Sequence, residues 1–363
     1  METKKTPLYD EHVKLGGKIV DYAGWFLPVQ YEGILAEHEA VRTKAGMFDV
    51  SHMGEVMVRG KEALNYLQYL LTNDIGVLEN NQVVYTFMCY PDGGVVDDLL
   101  TYKINDEEFL LVINASNVDK DFKWMQDNVK DFDVVAENIS DEVGEVALQG
   151  PNAEKILSKL TDENLSDIKF FHFKKDIIVA GTKCLVSRTG YTGEDGFEIY
   201  TSREGIVKVW NSILEAGEEY GIKPTGLGCR DTLRFEAGLP LYGHEISQDI
   251  SPIQGGFKFF VKLDKDDFIG KDALVLQNGN LTKKVVGFEL LGKGIPREGY
   301  DVVVDGEKIG YVATGYFAPT LKKNIGTALV DIEYSKKGTE FEVMIRNKPV
   351  KAQVIDKRFY KRK

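Results

Sequence analysis

Only three cysteines occur in the 363 residues, Cys89, Cys184 and Cys229, and their odd number and wide spacing supply neither a disulfide framework nor a metal-ligand pattern. Histidine is scarce too. The five are scattered, none pairs with another at helical i, i+4 spacing, and no zinc or iron centre is expected. No apolar run approaches the roughly 18 residues of a membrane-spanning helix, so no membrane partner is expected. An excess of positive charge is also missing: the net charge of -12 argues against broad nucleic-acid binding, which needs basic surface to neutralise phosphates. The N-terminal METKKTPLYDEH has no apolar h-region and is neither Arg-rich nor acid-poor, which leads to the expectation of a cytoplasmic protein.

Familiar nucleotide motifs are lacking as well. The Gly-Lys pairs at Gly17, Gly270 and Gly292 are not followed by the Ser or Thr of a Walker A loop. GLGCRD, from Gly226, begins like a dinucleotide fingerprint, but Asp231 stands in the third glycine position and Pro224 breaks the strand that should precede it.

What is present suits two or three domains with sizeable cores, since 43% of the residues are hydrophobic. EALNYLQYLLTNDI places Leu64, Leu67 and Leu71 on one helical face, and NVDKDFKWMQDNVK does the same with Phe122, Met125 and Val129 behind an Asn117 cap. REGIVKVWNSILEAGEEYG repeats Ile206, Val209, Trp210, Ile213 and Leu214 at helical spacing and stops at Gly221. Between these lie strand-like runs such as FLLVIN and KCLVSRTGY, and the alternation predicts an α+β core. From about Thr282 the pattern changes: Asp305-Gly306 is a hairpin signal in YDVVVDGEKIGYV, and FEVMI alternates, which together predict a separate all-β domain. The charged stretch Asp264 to Asn280 reads as the linker.

Three polar clusters need a chemical reason. In PDGGVVDDLLTY two adjacent aspartates sit inside an apolar strand, where alternate residues face opposite sides and one carboxylate must point inward. Capping of a neighbouring loop, a two-carboxylate glycosidase and a buried acid that is paired, raised in pKa or at work all remain open for it. In CRDTLRFEAGLPLYGHEI, Arg230, Asp231, Arg234 and Glu236 form either an ion-pair ladder along a helix or a cleft-facing arginine that grips a carboxylate. In GYTGEDGFE a glycine at every third position lets the backbone approach closely while acids fill the gaps, a loop shaped to hold carboxylates against something. The basic tail KRFYKRK, Lys357 to Lys363, is either solvated or a docking surface for an acidic partner.

Together TPLYDEH, GGKIVDYAGWFLPVQY, GMFDVSHMGEV, GGVVDDLL, GYTGEDGFE, RDTLRFEAGLPLYGHEI and DFIGKDAL, in one order, resemble the aminomethyltransferase family, the T-proteins of the glycine cleavage system, and GYVATGYFAPTLKKNIGTALV extends the resemblance into the β domain. The resemblance starts within the first ten residues, which adds to the expectation of a bacterial-type cytoplasmic enzyme without a targeting extension. It implies an α+β, three-domain cloverleaf with a central folate cavity and a C-terminal all-β, barrel-like domain. The expected division is residues 1–50 plus 140–260 as a discontinuous α+β domain, 51–139 as a second, and 282–363 as the β domain.

By the same resemblance, the aminomethyl carbon on the lipoyl arm of a carrier, H-protein, passes to tetrahydrofolate, with release of ammonia and 5,10-methylenetetrahydrofolate. Asp98 matches the family's essential carboxylate, with Asp97 pointing the other way; a carboxylate there stabilises iminium-like character and accepts a proton. Glu198 is implied as acceptor for the donor edge of the pterin, Tyr191 as a ring or linker contact, and Arg230 as partner of the anionic glutamate end or a cavity wall. Tyr85, Tyr102, Met53, Asn114 and Tyr360 match further cavity positions, whereas Glu194 and Asp195 are expected at the surface, shaping the loop. The alternatives are a folate-binding helper of the iron-sulfur assembly type, against which DFIGKDAL lacks the linker cysteine, and a non-catalytic folate-binding scaffold.

Overall fold

Among the residues 3–362 described by a computed structural model, three open sheets and a closed barrel organise the chain. The smallest sheet pairs Trp25–Gln30 with Lys4–Lys5 and Lys18–Tyr22. The first sheet has, among the described residues, six strands in the order Phe173–Val179, Thr182–Ser187, Gly196–Ser202, Val143–Gln149, Ala45–Asp49, Ile222–Thr225. Its fifth strand, Ala45–Asp49, pairs antiparallel with Val143–Gln149 and parallel with Ile222–Thr225, so segments far apart in sequence meet there. The helix Arg203–Gly217 covers one face. Ser202 accepts the Gly205 amide and caps it, and Ile206, Val209, Trp210 and Ile213 are buried against Met47, Val146, Leu148 and Phe197. Full burial of each such side chain contributes about 1.5–3 kcal/mol.

The chain leaves the first sheet after Asp49 and returns at Val143. In between it builds a five-stranded sheet in the order Gln82–Cys89, Val95–Asn105, Glu108–Ile113, Gly54–Arg59, Val135–Asn138. The helices Ala63–Leu70 and Val118–Asp127 cover this sheet. The first of them turns Ala63, Tyr66, Leu67 and Leu70 inward. Of the expected Leu64–Leu67–Leu71 stripe, Leu67 and Leu71 are buried in the same core, Leu71 just past the helix end, and Leu64 is half-buried against it. Asn117 stands at the cap position of the second, yet its side chain makes no capping bond and turns toward Asp97 instead.

The barrel closes in the order Lys283–Leu290, Lys323–Asp331, Glu307–Ala318, Asp301–Val304, Glu340–Ile345, Lys348–Ile355. Asp305 and Gly306, at φ 52° and 83°, make the two-residue turn that matches strand twist. The stretch expected to link barrel and core holds the helix Lys271–Gly279. Its Leu274 is buried with Phe87, Cys89 and Val95, and the Lys265 ammonium donates to the carbonyls of Gln68, Leu71 and Asn73, where the helix Ala63–Leu70 runs out of amide donors. The segment therefore packs onto the five-stranded sheet. Against the helix Leu227–Glu236 the barrel packs Tyr316, Ala318 and Ile325 around Phe235. Among the described residues no helix is long and apolar enough to cross a membrane.

Candidate functional site

The strand Val95–Asn105 separates its two aspartates. Asp97 is fully buried toward the helix Val118–Asp127, where Asn114 and Asn117 donate to it. Asp98 faces the other way, toward the six-stranded sheet. There Tyr85 Oη donates to its Oδ2 at 2.8 Å and Asn114 Nδ2 to its Oδ1 at 3.0 Å. Burial, and next the charge of Asp97, push the Asp98 carboxyl up to about 7 despite those two donors.

The GYTGEDGFE loop leads into the strand Gly196–Ser202. Gly190 and Gly196 both lie against the buried Gln149, where an added Cβ would meet its side-chain atoms at 2.1 Å and 2.6 Å. Gly193, at φ +79°, takes the left-handed turn that brings the chain past Ala237. Gln149 in return holds the loop by donating to Thr189 O and accepting from Thr192. Glu198 is thereby presented with one oxygen on Thr189 Oγ1 at 2.5 Å. Burial raises its pKa, against the Thr189 hydrogen bond and the nearby Arg230 charge.

The helix Leu227–Glu236 contains only part of the expected ladder. Arg234 joins Asp231 at 2.8 Å and Glu245 at 3.0 Å, and Glu236 takes Arg42 and His38. Arg230 joins neither: its guanidinium lies 4.8 Å over the Tyr191 ring, and its buried Nη1 has no partner. Tyr191 is itself fixed by donating to Pro240 O.

These side chains line one cavity of ≈ 990 Å³, which also takes in Met53, Asn114 and Tyr360. Tyr102 is not among its walls. It points to the same side of its strand as Asp98 but four residues further along, and it is sealed between the sheets by Phe173 and Tyr200, bonded to Tyr200 Oη at 2.9 Å. Glu194, expected at the surface, is buried at the cavity wall in an ion pair with Arg42 at 2.9 Å, while Asp195 pairs with Arg188. The basic tail is neither free nor uniformly solvated. Lys357 donates to Gly255 O, Arg358 and Arg362 reach the cavity, and Lys363 lies outside the described residues.

Several walls had no signal in the sequence. His52 is buried with Nδ1 unpartnered, and burial pulls its pKa down to about 4, so it is a neutral imidazole there. Glu145 is buried beside Glu198 with Oε2 unpartnered, its carboxyl held well above the usual range first by burial and then by the Glu198 charge. Each is a lone polar residue whose neighbours come from other strands, so no local pattern marks it. The cavity thus offers hydrogen-bond-accepting carboxylates, an orphaned guanidinium donor and aromatic walls, a fit for a flat, donor-edged molecule with an anionic tail.

The GCVT N-terminal domain family matches residues 8–265, and the glycine cleavage T-protein C-terminal barrel domain matches residues 283–361. The aminomethyltransferase of Thermoanaerobacter pseudethanolicus is 62% identical over 360 residues, 99% of this chain and 98% of the relative. That of Alkaliphilus oremlandii is 60% identical over 362 residues, with the same coverage. The crystal structure of glycine cleavage system aminomethyltransferase T from Bartonella henselae is similar at a TM-score of 0.92, with 30% identity and 99% of each chain covered.

Proposed function

Because the chain belongs to the glycine cleavage T-protein family and is an aminomethyltransferase of that system, we propose that its cavity seats tetrahydrofolate and receives the aminomethylated lipoyl arm of H-protein. The observation that carries this reading is the convergence on one cavity of Asp98, Glu198 and the unpartnered Arg230 guanidinium. The helper-protein alternative is not favoured, since relatives matched over the full chain are aminomethyltransferases.

In this reading Glu198 accepts from the donor edge of the pterin, with Thr189 holding one of its oxygens in place. Arg230, stacked on Tyr191, meets the anionic end of the cofactor or braces the wall beside it. The reacting nitrogens then lie near Asp98. Its carboxylate, aligned by Tyr85 and Asn114, accepts a proton from the attacking nitrogen and offsets the positive charge that grows on the one-carbon unit as ammonia departs. An acid raised toward neutrality suits this role, because it can both take up and return a proton at working pH.

The test measures ammonia release and 5,10-methylenetetrahydrofolate formation from aminomethylated H-protein and tetrahydrofolate. Turnover is expected from the unaltered protein, with a loss of about 10²- to 10⁴-fold in Asp98→Asn at unchanged folate binding. Folate binding without turnover in the unaltered protein would remove the carbon-transfer reading.

A further inference from the structure

Behind Asp98 lies a second carboxyl pair that the reaction as described does not use. Asp121, on the helix Val118–Asp127, and Asp97, on the strand Val95–Asn105, are both fully buried, and the start of the helix lies on this part of the strand. Asn117, one turn before Asp121, donates to Asp97, and Lys120 donates to Val96 O, which brings the two carboxyls together. Asp97 is well supplied with donors: Asn114 Nδ2 and Asn117 Nδ2, each at 2.9 Å, and the Asn114 amide at 3.2 Å. Asp121 has none, for neither of its oxygens finds a hydrogen-bond donor. Two adjacent carboxylates can only accept, so two ionised groups here would repel in a dry site, whereas one proton between them makes a bond.

We propose that Asp121 is a protonated carboxylic acid in the working enzyme and a positioning residue, donating its proton to Asp97 and so fixing the Asp97–Asn114 unit that aligns Asp98. The link is direct: the same Asn114 Nδ2 that donates to Asp97 Oδ1 also reaches Asp98 O at 3.1 Å and Asp98 Oδ1 at 3.0 Å. Asn117 turns to Asp97 at the expense of capping its own helix, which marks Asp97 as the centre of the unit.

The other groups around Asp121 leave the proton in place. Lys120 Nζ stands 3.6 Å from Asp121 Oδ1, too far for a hydrogen bond, and is engaged by Val96 O and the Tyr242 ring. Tyr90 and Tyr242 also face the group, and Asp98 adds further negative charge. Burial, then Asp97, push the Asp121 carboxyl up to about 11. Only the kinetic consequence rests on the role proposed for Asp98; the proton itself does not.

A group protonated in the fold and ionised in the unfolded chain takes up one proton on folding between roughly pH 5 and 9. Its contribution to stability therefore falls as pH rises. Denaturant unfolding of the wild-type protein and Asp121→Asn across that range measures it without any substrate. The ratio of the two unfolding constants is expected to change about tenfold per pH unit, the wild type losing ground as pH rises. Parallel curves would mean that Asp121 is ionised and overturn the proposal.

The positioning role has its own readout in the pH profile of kcat/KM. The amide of Asp121→Asn keeps a neutral donor toward Asp97, and its rising limb should stay where the wild type's is. Asp121→Ala removes that donor, leaves more charge on Asp97 and should move the limb to higher pH. A limb that stays in place or moves down in Asp121→Ala would reduce the residue to a packing role.

Discussion

Tyr85 and Asp98, on neighbouring antiparallel strands, meet at 2.8 Å, with the phenol donating to the carboxylate inside the cavity. Removing that donor in Tyr85→Phe leaves the shape and strips one support from the charged form. A hydrogen bond to a charged group contributes about 1.5 kcal/mol at the lower end, close to one pKa unit. The rising limb of kcat/KM is therefore expected about one unit higher than in the wild type. An unmoved limb would show that the phenol does not stabilise the working carboxylate.

The pH dependence itself follows from Asp98. Its carboxyl is raised to about 7, so it is protonated below that pH and ionised above it. As a base it works only when ionised, so kcat/KM should climb between roughly pH 6 and 8, and this limb should vanish in Asp98→Asn. Stability runs the other way. Ionising an acid whose folded pKa is raised weakens the fold, so Asp98→Asn should gain on the wild type as pH rises above the unfolded value near 4.

Glu198→Gln separates binding from folding. The amide can still accept, but it loses the charge that strengthens bonds to the pterin edge, and tetrahydrofolate affinity should drop about 10- to 100-fold by calorimetry. Folding should be unharmed or improved at pH 8, because burial opposes the charged form of Glu198. Reduced stability with unchanged affinity would assign the residue to the scaffold.

Arg42 is a joint. Its guanidinium pairs with Glu194 and Glu236, donates to Thr192 O and stacks 3.9 Å over Tyr360, at 5% side-chain exposure. Truncation to Ala strands two buried carboxylates, and denaturant unfolding should register a loss of about 3–5 kcal/mol. A loss below 1 kcal/mol would mean that water replaces the guanidinium at no cost.

Local patterns were legible where one segment carries its own reason. The helix Arg203–Gly217 announces itself by apolar spacing, and the hairpin at Asp305-Gly306 by a turn that few residue pairs can make. Strand alternation in VVDDLL says that two carboxylates part company, without saying which partners each finds. Tyr102 shows the limit: alternation gives its side of the sheet, but its depth is set by Phe173 and Tyr200 from strands about 70 and 100 residues away. Local spacing suggests a helix cap for Asn117 and a place in a linker for Lys265. Their actual partners, Asp97 and the end of the helix Ala63–Leu70, exist only once the sheet and its helices have packed.

The cavity wall runs from Val20 to Arg362 and draws on all three open sheets, the helix Leu227–Glu236 and the segment that follows the barrel. A molecule seated there is held by residues that no single layer supplies, so loosening any one layer forfeits its whole binding free energy. With free ligand a hundredfold above Kd, that amounts to about 2.7 kcal/mol. Occupancy thus works as a shared fastener that couples the unravelling of the layers lining the cavity.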